Sequence, residues 1–386
     1  MTDSPSPAAG KRRVIRKAID DMAPFAGPPV EQDLRSGGFD GRILRLHLNE
    51  CPYPPSPKVV AAIQEAATKV NRYPDSWWRA PADILAERLD FPRDRIVFGN
   101  GSDQLLNAMA DLTLEESDSA IVPEPSFLRY HLAIEMQGAE IIKVPLDAGG
   151  ANDVEAMIAA VADNTRLVYA ASPNNPTGGM LDANGLRRLA DGVPDDVLLV
   201  LDEAYFEFAQ RENGPDGLDC IRHRGGPWVV LRTFSKGYGL AGLRCGYALC
   251  GSDEIAAGLN KLRQAFQVNA MAVVAARAAL EDPEYGRWLV EQVAAERDRT
   301  VERMRALGLR PMPTAGNFIT ADIGRPAAPV VQALARRGIM IGAIRTPTPG
   351  YDTVIRLTVG TPEEMDLLMT ALEEELAAAK AAEAAE

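Results

Sequence analysis

Residues 197–205 read Val-Leu-Leu-Val-Leu-Asp-Glu-Ala-Tyr, an unbroken apolar run that ends in two acidic residues and a tyrosine. A run of this kind, without polar alternation, is typical of a strand that is buried on both faces of a parallel sheet. Residues that follow the carboxyl end of such a strand lie where open α/β sheets bind their ligands. The stretch therefore predicts an α/β fold with a candidate site at Asp202–Tyr205.

Six further apolar runs have the length of strands and alternate with helical stretches. With Val197–Leu201, the predicted strands are Arg95–Phe98, Ala120–Val122, Ile141–Val144, Leu167–Ala170, Val229–Arg232 and Gly246–Leu249. Strands that alternate with helices form a mostly parallel sheet covered by helices. We therefore predict a seven-stranded, mostly parallel sheet with helices on both faces.

The remaining sequence predicts an arm and a second, smaller domain. Residues 284–307 have the amphipathic pattern of a long helix that links two domains. Beyond it, two predicted strands, 317–322 and 354–359, flank one helical stretch. The predicted division is an N-terminal arm (residues 1–40), a small α+β domain (residues 41–70 and 308–386) and a large domain with the linking helix at its end (residues 71–307).

Composition excludes several classes of partner. The chain has 41 basic and 54 acidic residues, a formal charge of -13, which argues against nonspecific binding to nucleic acid or to an anionic membrane. No apolar run is long enough for a transmembrane helix, and the first residues lack the apolar core of a secretory signal. We therefore predict a cytoplasmic protein. The three histidines are far apart and form no HExxH motif, so no metal site is predicted.

Polar segments follow four of the predicted strands. They are Gly99–Asp103 (GNGSD), Ser172–Gly178 (SPNNPTG), Asp202–Tyr205 (DEAY) and Thr233–Gly237 (TFSKG). Because ligands gather at the carboxyl ends of strands in open α/β sheets, we expect the four segments to line one pocket.

Common nucleotide-binding motifs do not account for these segments. Residues 237–242 match GxGxxG, but the next strand begins by Cys245 or Gly246, which leaves no room for the helix that a dinucleotide needs. The chain contains no GxxxxGK[ST] sequence, so the acidic strand end is not that of a P-loop enzyme. Asp202 and Glu203, as neighbours on a strand, point to opposite faces and do not form a pair of hydrolytic carboxylates.

A lysine that holds pyridoxal phosphate as an imine accounts for the four segments together, with Lys236 as that lysine. The pyridine nitrogen needs a carboxylate for the ring to act as an electron sink, and Asp202 can supply it. Asn175 and Tyr205 can donate hydrogen bonds to the ring oxygen. The phosphate needs a helix N-terminus, hydroxyl groups and a cation, and the candidates are Ser102, Asp103, Ser235 and Arg244.

The ordered set of motifs resembles fold-type I pyridoxal-phosphate aminotransferases. The motifs SPNNPTG, DEAY and TFSK are followed by LAGLRCG at residues 240–246. The further motifs LNECPY (48–53), RYPD (72–75), GNGSD (99–103), an asparagine at 317 and RLTVG (356–360) bring the sequence close to histidinol-phosphate aminotransferases. The likeness runs in order from about residue 40 to about residue 370.

The resemblance implies a role for each matching residue. The catalytic residues are Lys236, which also shuttles the proton, Asp202 and Tyr205. The cofactor-binding residues are Lys236, Asn175, Asp202, Tyr205, Phe127, Gly101, Ser102, Asp103, Thr233, Ser235, Arg244 and Tyr73. Phe127 stacks on the ring, where the family often has tyrosine, and Tyr73 reaches the phosphate of the partner subunit. The protein is therefore expected to be a homodimer with shared active sites.

On the substrate side of the site, one segment of the sequence differs from the pattern of the family. The resemblance implies that Arg356 binds the acidic group of the substrate, that Asn175 contacts the substrate, and that Tyr53 lines its pocket. Histidinol-phosphate aminotransferases usually have an arginine soon after the Gly-Ile run of the small domain. Here residues 338–344 read GIMIGAI, and Arg345 comes only after them. Arg345 is therefore a second candidate for binding the anionic substrate.

The resemblance predicts an aminotransferase of amino-acid biosynthesis. It would move an amino group from a small-molecule donor, glutamate, to a keto acid or a phosphorylated ketone. A decarboxylase or lyase on the same fold is the alternative activity, because the early chemistry is shared. A cofactor-binding regulator without turnover is a third reading, although the arm is too short for the DNA-binding domain such a regulator needs.

Overall fold

The computed structural model describes residues 14–24, 31–344 and 348–383. The strands are β1 (Leu44–Arg45), β2 (Ile96–Asn100), β3 (Ser119–Glu124), β4 (Glu140–Pro145), β5 (Thr165–Ala171), β6 (Leu198–Asp202), β7 (Trp228–Thr233), β8 (Cys245–Cys250), β9 (Arg310–Pro311), β10 (Phe318–Asp322), β11 (Ile339–Met340), β12 (Gly342–Ala343) and β13 (Val354–Thr358). The α-helices are α1 (Lys17–Asp21), α2 (Glu31–Ser36), α3 (Pro57–Ala67), α4 (Arg79–Leu89), α5 (Ser102–Thr113), α6 (Leu128–Glu135), α7 (Val154–Ala159), α8 (Ala183–Gly192), α9 (Phe206–Arg211), α10 (Gly217–Ile221), α11 (Asp253–Leu262), α12 (Ala270–Leu280), α13 (Pro283–Ala306), α14 (Ala327–Arg336) and α15 (Pro362–Glu383).

The large sheet contains all seven strands that the apolar runs predict. Their order is β2-β8-β7-β6-β5-β3-β4. Strand β8 is antiparallel to both of its neighbours, and the other neighbouring pairs are parallel. Strands β2, β5, β6 and β7 therefore point the same way, and the polar segments that follow them lie at one edge of the sheet.

The apolar runs form strands because both faces of the sheet are covered. Every residue of β6, β7 and β8 is buried. Helix α8 begins at Ala183, where the Asp182 side chain accepts a hydrogen bond from the Gly185 N–H and so satisfies a donor of the first turn. Burial of a leucine such as Leu199 contributes about 1.5–3 kcal/mol, so the central strands stabilise the fold strongly.

A smaller sheet domain follows the large one in the chain. Strands β12, β13, β10 and β9 form an antiparallel sheet, and β1 pairs in parallel with β11. Leu44 and Leu46, near the N-terminal end, lie in the same apolar core as helices α14 and α15. Helix α13 has the extent predicted for the linking helix, within one residue at each end. The domain boundaries 41–70, 71–307 and 308–386 stay a prediction.

The segment after Lys236 does not have the geometry of a dinucleotide-binding loop. A short 3-10 turn at Ala241–Leu243 leads directly into β8. The side chains of Asp202 and Glu203 also have separate surroundings, since Glu203 forms an ion pair with Arg232 at 2.8 Å. The helices within the described ranges are too short or too polar to cross a lipid bilayer.

Candidate active site

The polar segments at the edge of the large sheet meet residues of the smaller domain. Arg356 on β13 donates a hydrogen bond to the Asn175 side-chain oxygen at 2.7 Å. The Lys236 Nζ donates to the main-chain oxygen of Asn49 at 2.7 Å. The fold therefore brings Lys236, Asn175 and Arg356 into one site, as their predicted roles require.

Lys236 has an environment that favours its neutral amine. The side chain is half-buried, and its Nζ also lies 3.4 Å from the main-chain oxygen of Leu48. Burial, together with the nearby cation of Arg356, lowers the pKa of Lys236 to about 8. A neutral amine is the nucleophile that attacks an aldehyde, so this environment prepares Lys236 for a covalent link with a carbonyl cofactor.

Asp202 is a buried carboxylate at the end of β6, only 5% exposed. Its Oδ2 accepts a hydrogen bond from the Tyr130 hydroxyl at 2.8 Å, and its Oδ1 accepts one from the Ala204 N–H at 3.0 Å. Burial raises the pKa of Asp202 to about 6, whereas the two hydrogen bonds favour the ionised form. A buried carboxylate with this balance is suited to pair with a protonated ring nitrogen.

Tyr205 directs its hydroxyl towards the site through a bond with Asn49. The Asn49 side-chain amide donates to the Tyr205 oxygen at 2.8 Å. Because that oxygen accepts from Asn49, its own hydrogen can be donated to another acceptor, such as a ring oxygen. Burial raises the pKa of Tyr205 to about 12, which keeps the hydroxyl protonated at neutral pH.

Asn49 was not singled out from the sequence, although it lies inside the LNECPY motif. Its φ is +52°, in the left-handed region that asparagine tolerates better than most residues. Its N–H donates to the Thr358 hydroxyl at 2.8 Å, and its carbonyl accepts from the Asn317 side chain at 3.0 Å. Asn49 therefore connects Lys236 and Tyr205 to β13 and to Asn317, the residue before β10.

The start of helix α5 forms a cradle for an anion. Gly101 precedes the helix with a φ of +76°, and no side chain caps the first turn at this position. A Cβ at Gly101 would clash with the Arg244 Nη2, so the glycine lets the guanidinium pass this close to the main chain. Main-chain N–H groups at a helix N-terminus and an arginine together suit a phosphate, and Ser102 adds its hydroxyl at the first helical position.

Three other predicted cofactor-binding residues, Asp103, Thr233 and Ser235, lie around the same arginine. Arg244 approaches the Ser235 hydroxyl and the Asp103 carboxylate, each at 3.4 Å. The Thr233 hydroxyl donates to the Ser235 oxygen at 3.0 Å. The Asp103 carboxylate therefore orients Arg244. The main-chain N–H of Asp103 is then the group of this residue that can face a phosphate. The cradle, the buried Asp202 carboxylate and Lys236 together fit pyridoxal phosphate.

Phe127 and Tyr130 lie next to each other at the start of helix α6. Phe127 is half-buried and meets Tyr130 edge-to-face, with ring centroids 5.9 Å apart. Tyr130 was missed in the sequence, because one tyrosine on the apolar face of a helix looks like an ordinary core residue. Its hydrogen bond to Asp202 becomes visible only in the folded chain.

The predicted substrate residues have different surroundings. Arg356 is half-buried and also donates to the main-chain oxygen of His47 at 2.7 Å. Tyr53 packs edge-to-face against Trp288, with centroids 5.2 Å apart. Arg345 lies outside the described residues. Among the two predicted substrate arginines, Arg356 is therefore the candidate that the described structure places beside Lys236.

Tyr73 lies at the surface of the single chain. It is 81% exposed and stacks on Phe266, with centroids 4.3 Å apart and an interplanar angle of 12°. Its predicted contact is with the phosphate of another subunit, so a single chain does not test that contact.

Comparisons with known proteins agree with the site. The family described as Aminotransferase class I and II matches residues 42–372. Histidinol-phosphate aminotransferase 2 of Pseudomonas aeruginosa is 41% identical over 372 residues, which are 94% of this chain and 98% of that protein. Histidinol-phosphate aminotransferase 2 of Carboxydothermus hydrogenoformans is 40% identical over 351 residues, covering 90% and 95% of the two chains.

Solved structures show the same fold. The structure of histidinol-phosphate aminotransferase from Sinorhizobium meliloti in complex with pyridoxal-5'-phosphate superposes with a TM-score of 0.87 at 32% identity, covering 97% of this chain and all of that one. Aspartate aminotransferase from Thermus thermophilus with maleate, at 21% identity, has a TM-score of 0.79 over 94% of this chain and all of that one. At this low identity, the similarity to aspartate aminotransferase supports only the fold.

The fold and the site define a pyridoxal-phosphate-dependent enzyme of fold type I. More particularly, the chain belongs to the class I and II aminotransferase family, and it is a transaminase. The predicted resemblance, fold class, cofactor and type of activity are confirmed, and transamination is supported over a decarboxylase or lyase. The roles of individual residues stay predictions.

Proposed function

We propose that this transaminase moves an amino group between glutamate and a phosphorylated ketone, with histidinol phosphate as the corresponding amine. The observation that carries this proposal is the Arg356 guanidinium, held between Asn175 and the His47 carbonyl beside Lys236. A cation at this position suits the carboxylate of glutamate and the phosphate of the second substrate. The relatives named as histidinol-phosphate aminotransferases support the same substrate pair, in a step of amino-acid biosynthesis.

The residues around the cofactor have separate tasks in this proposal. When bound, pyridoxal phosphate supplies the electron sink for breaking a bond at the substrate carbon. Asp202 holds a proton on the ring nitrogen, Tyr205 donates to the ring oxygen, and Arg244 neutralises the phosphate. The Lys236 Nζ, with its pKa lowered to about 8, accepts and returns the proton of the substrate carbon.

The substrate assignment is tested with purified holoenzyme, 2-oxoglutarate and a panel of amines, measuring the glutamate formed. Histidinol phosphate should give the highest kcat/KM, ahead of aspartate, phenylalanine and tyrosine. If an amine without a phosphate exceeds it by about tenfold or more, the substrate proposal is wrong while the transaminase class stands.

Arg356→Lys should weaken the binding of anionic substrates while cofactor occupancy stays full. The guanidinium presents a planar fork to a carboxylate or phosphate, which an ammonium group does not reproduce. A hydrogen bond to a charged group contributes about 1.5–3 kcal/mol, so KM should rise roughly 10- to 100-fold. Steady-state kinetics and the visible absorbance of the bound cofactor measure the two properties.

Arg310→Lys on β9 of the same small sheet is the matched control. Arg310 is exposed and pairs with Asp322 at the surface, where an ion pair contributes about 0–1 kcal/mol. Its KM values should equal those of the parent enzyme. If Arg356→Lys also leaves KM unchanged and Arg345→Ala abolishes donor binding, the substrate cation is Arg345.

We also propose that the enzyme is a homodimer whose active sites are shared. Phe266, on which Tyr73 stacks, is an exposed large apolar side chain, as are Trp77 and Leu262. Arg263 lies over the Trp77 ring, 4.1 Å from its centroid, and so belongs to the same surface. An exposed apolar surface of this kind marks an interface, and a second copy of the chain is the proposed partner. A cytoplasmic location completes the proposal, supported by the four free cysteines.

Mixed dimers of Tyr73→Ala and Lys236→Ala should recover activity that neither variant has alone. A two-fold interface is isologous, so each chain lends its Tyr73 to the other site. In a mixed dimer, one site then combines an intact lysine with an intact tyrosine, and the other carries both changes. Random mixing makes half of the dimers mixed, so turnover should return to about a quarter of that of the parent enzyme.

The measurement is turnover after the two variants are unfolded, mixed and refolded, with mixed dimers quantified by a tag on one chain. Each variant refolded alone is the control. If mixed dimers form without recovered turnover, Tyr73 acts in the site of its own chain or outside catalysis.

A further inference from the structure

Tyr130 joins two residues that the site uses for different purposes. Its hydroxyl donates to the Asp202 Oδ2 at 2.8 Å, and its ring meets Phe127 edge-to-face at 5.9 Å with an interplanar angle of 88°. Asp202 is the candidate partner of the ring nitrogen, and Phe127 is the candidate stacking ring. Tyr130 therefore contacts both elements that would fix the position of the pyridine ring.

Tyr130 itself is held rigidly. Its side chain is 1% exposed and stacks on Tyr169, with centroids 4.9 Å apart and an interplanar angle of 12°. The Tyr169 hydroxyl donates to the main-chain oxygen of Leu106 at 2.7 Å, which anchors that ring against helix α5. A buried ring packed between two aromatic partners has little rotational freedom, so its hydroxyl is directed at Asp202.

We propose that Tyr130 is a positioning residue of the transamination reaction, which fixes the Asp202 carboxylate towards the ring nitrogen and holds Phe127 in place beside it. This inference rests on the proposed role of Asp202. Tyr130 acts through these two residues and has no assigned contact with the cofactor or the substrate.

The charges around Asp202 explain why one hydroxyl matters. Burial and the nearby Asp103 carboxylate both disfavour the ionised form of Asp202. Against these, the Tyr130 hydroxyl and the Ala204 N–H stabilise the charge. Without the hydroxyl, the pKa of Asp202 should rise further. A neutral acid at this position no longer stabilises a protonated ring nitrogen.

The test compares Tyr130→Phe with Tyr169→Phe in the holoenzyme. Both changes remove one hydroxyl from the same buried aromatic stack, but the Tyr169 hydroxyl bonds to Leu106 and not to Asp202. The enzyme is loaded with pyridoxal phosphate labelled with nitrogen-15, and the ring-nitrogen chemical shift is measured together with kcat, KM and the thermal unfolding midpoint. Tyr130→Phe should move the ring nitrogen towards its unprotonated shift and lower kcat about tenfold, with KM within about twofold.

Tyr169→Phe should leave the nitrogen shift and kcat as in the parent enzyme, although its unfolding midpoint falls. If the two variants change the nitrogen shift and kcat equally, Tyr130 only fills space and the inference is overturned. Asp202→Ala separates this outcome from failure of the proposed site. If Asp202→Ala changes the nitrogen shift and Tyr130→Phe does not, only the role of Tyr130 is wrong. If neither changes it, the role of Asp202 is wrong as well.

Discussion

Lys236→Ala should abolish transamination and leave no link between protein and pyridoxal phosphate that borohydride can reduce. The change removes both the nucleophile for the cofactor aldehyde and the group that moves the substrate proton. Acid–base catalysis alone contributes about 10²–10⁴-fold, so the combined loss of rate should exceed roughly 10⁴-fold. Mass spectrometry of the reduced, digested protein shows which lysine carries the cofactor, and single-turnover absorbance measures the rate.

Two further variants separate chemistry from folding. Lys236→Arg keeps a positive charge near Asn49 but has no amine of accessible pKa, so it should be as inactive as the alanine variant. Lys261→Ala changes an exposed lysine at the end of α11 and should retain full activity. A reducible adduct on another lysine in the Lys236→Ala protein would show that the cofactor-bearing residue has been assigned wrongly.

Asp202→Ala should lower the rate of each half-reaction by about 10³-fold or more, which corresponds to roughly 4 kcal/mol of transition-state stabilisation. The reason is that a ring nitrogen without a carboxylate partner loses its proton, and the unprotonated ring withdraws electrons poorly. The bound cofactor should still form its link with Lys236, because the phosphate cradle is unchanged. Rapid-mixing absorbance of the holoenzyme with glutamate measures the rate directly.

The matched control is Asp196→Ala. Asp196 lies just before the start of β6, at the other end of the strand from Asp202. Asp196 is exposed, and its ion pair with Arg166 spans 3.9 Å at the surface. Its half-reaction rates should be those of the parent enzyme. Near-normal rates in Asp202→Ala itself would contradict the role given to this carboxylate.

Much of the site could be predicted because the large sheet is regular. Apolar runs such as VLLVL are strands for one physical reason, burial on both faces, and the polar residues that follow must lie at the carboxyl edge. Lys236, Asp202 and Asn175 could therefore be grouped before their contacts were known. The proximity of Gly101 to Arg244 explains why glycine occupies this position, and the spacing of the motif alone does not predict that contact.

Other parts of the site depend on contacts that leave no local pattern. Asn49 acts through its main-chain conformation and through bonds to Tyr205 and Thr358, none of which a periodicity predicts. Tyr130 is hidden for a similar reason, since a buried tyrosine on a helix has the same pattern whether or not its hydroxyl meets a carboxylate. The role of Tyr73 depends on a second chain.

The contacts that residues 47 and 49 make with β13 imply an order of events during synthesis on the ribosome. Asn49 and its partner Thr358 are 309 residues apart in the chain, as are His47 and Arg356. All seven strands of the large sheet have been synthesised once β8 is complete. The segment around Asn49, whose main-chain oxygen accepts a hydrogen bond from Lys236, must wait for β13 before its own contacts can form. Contacts between such distant residues form late because the loop-closure entropy must be overcome first. Gly101, Ser102 and Arg244 of the phosphate cradle are all synthesised before Arg356, so we expect the cradle to form before the substrate side of the site.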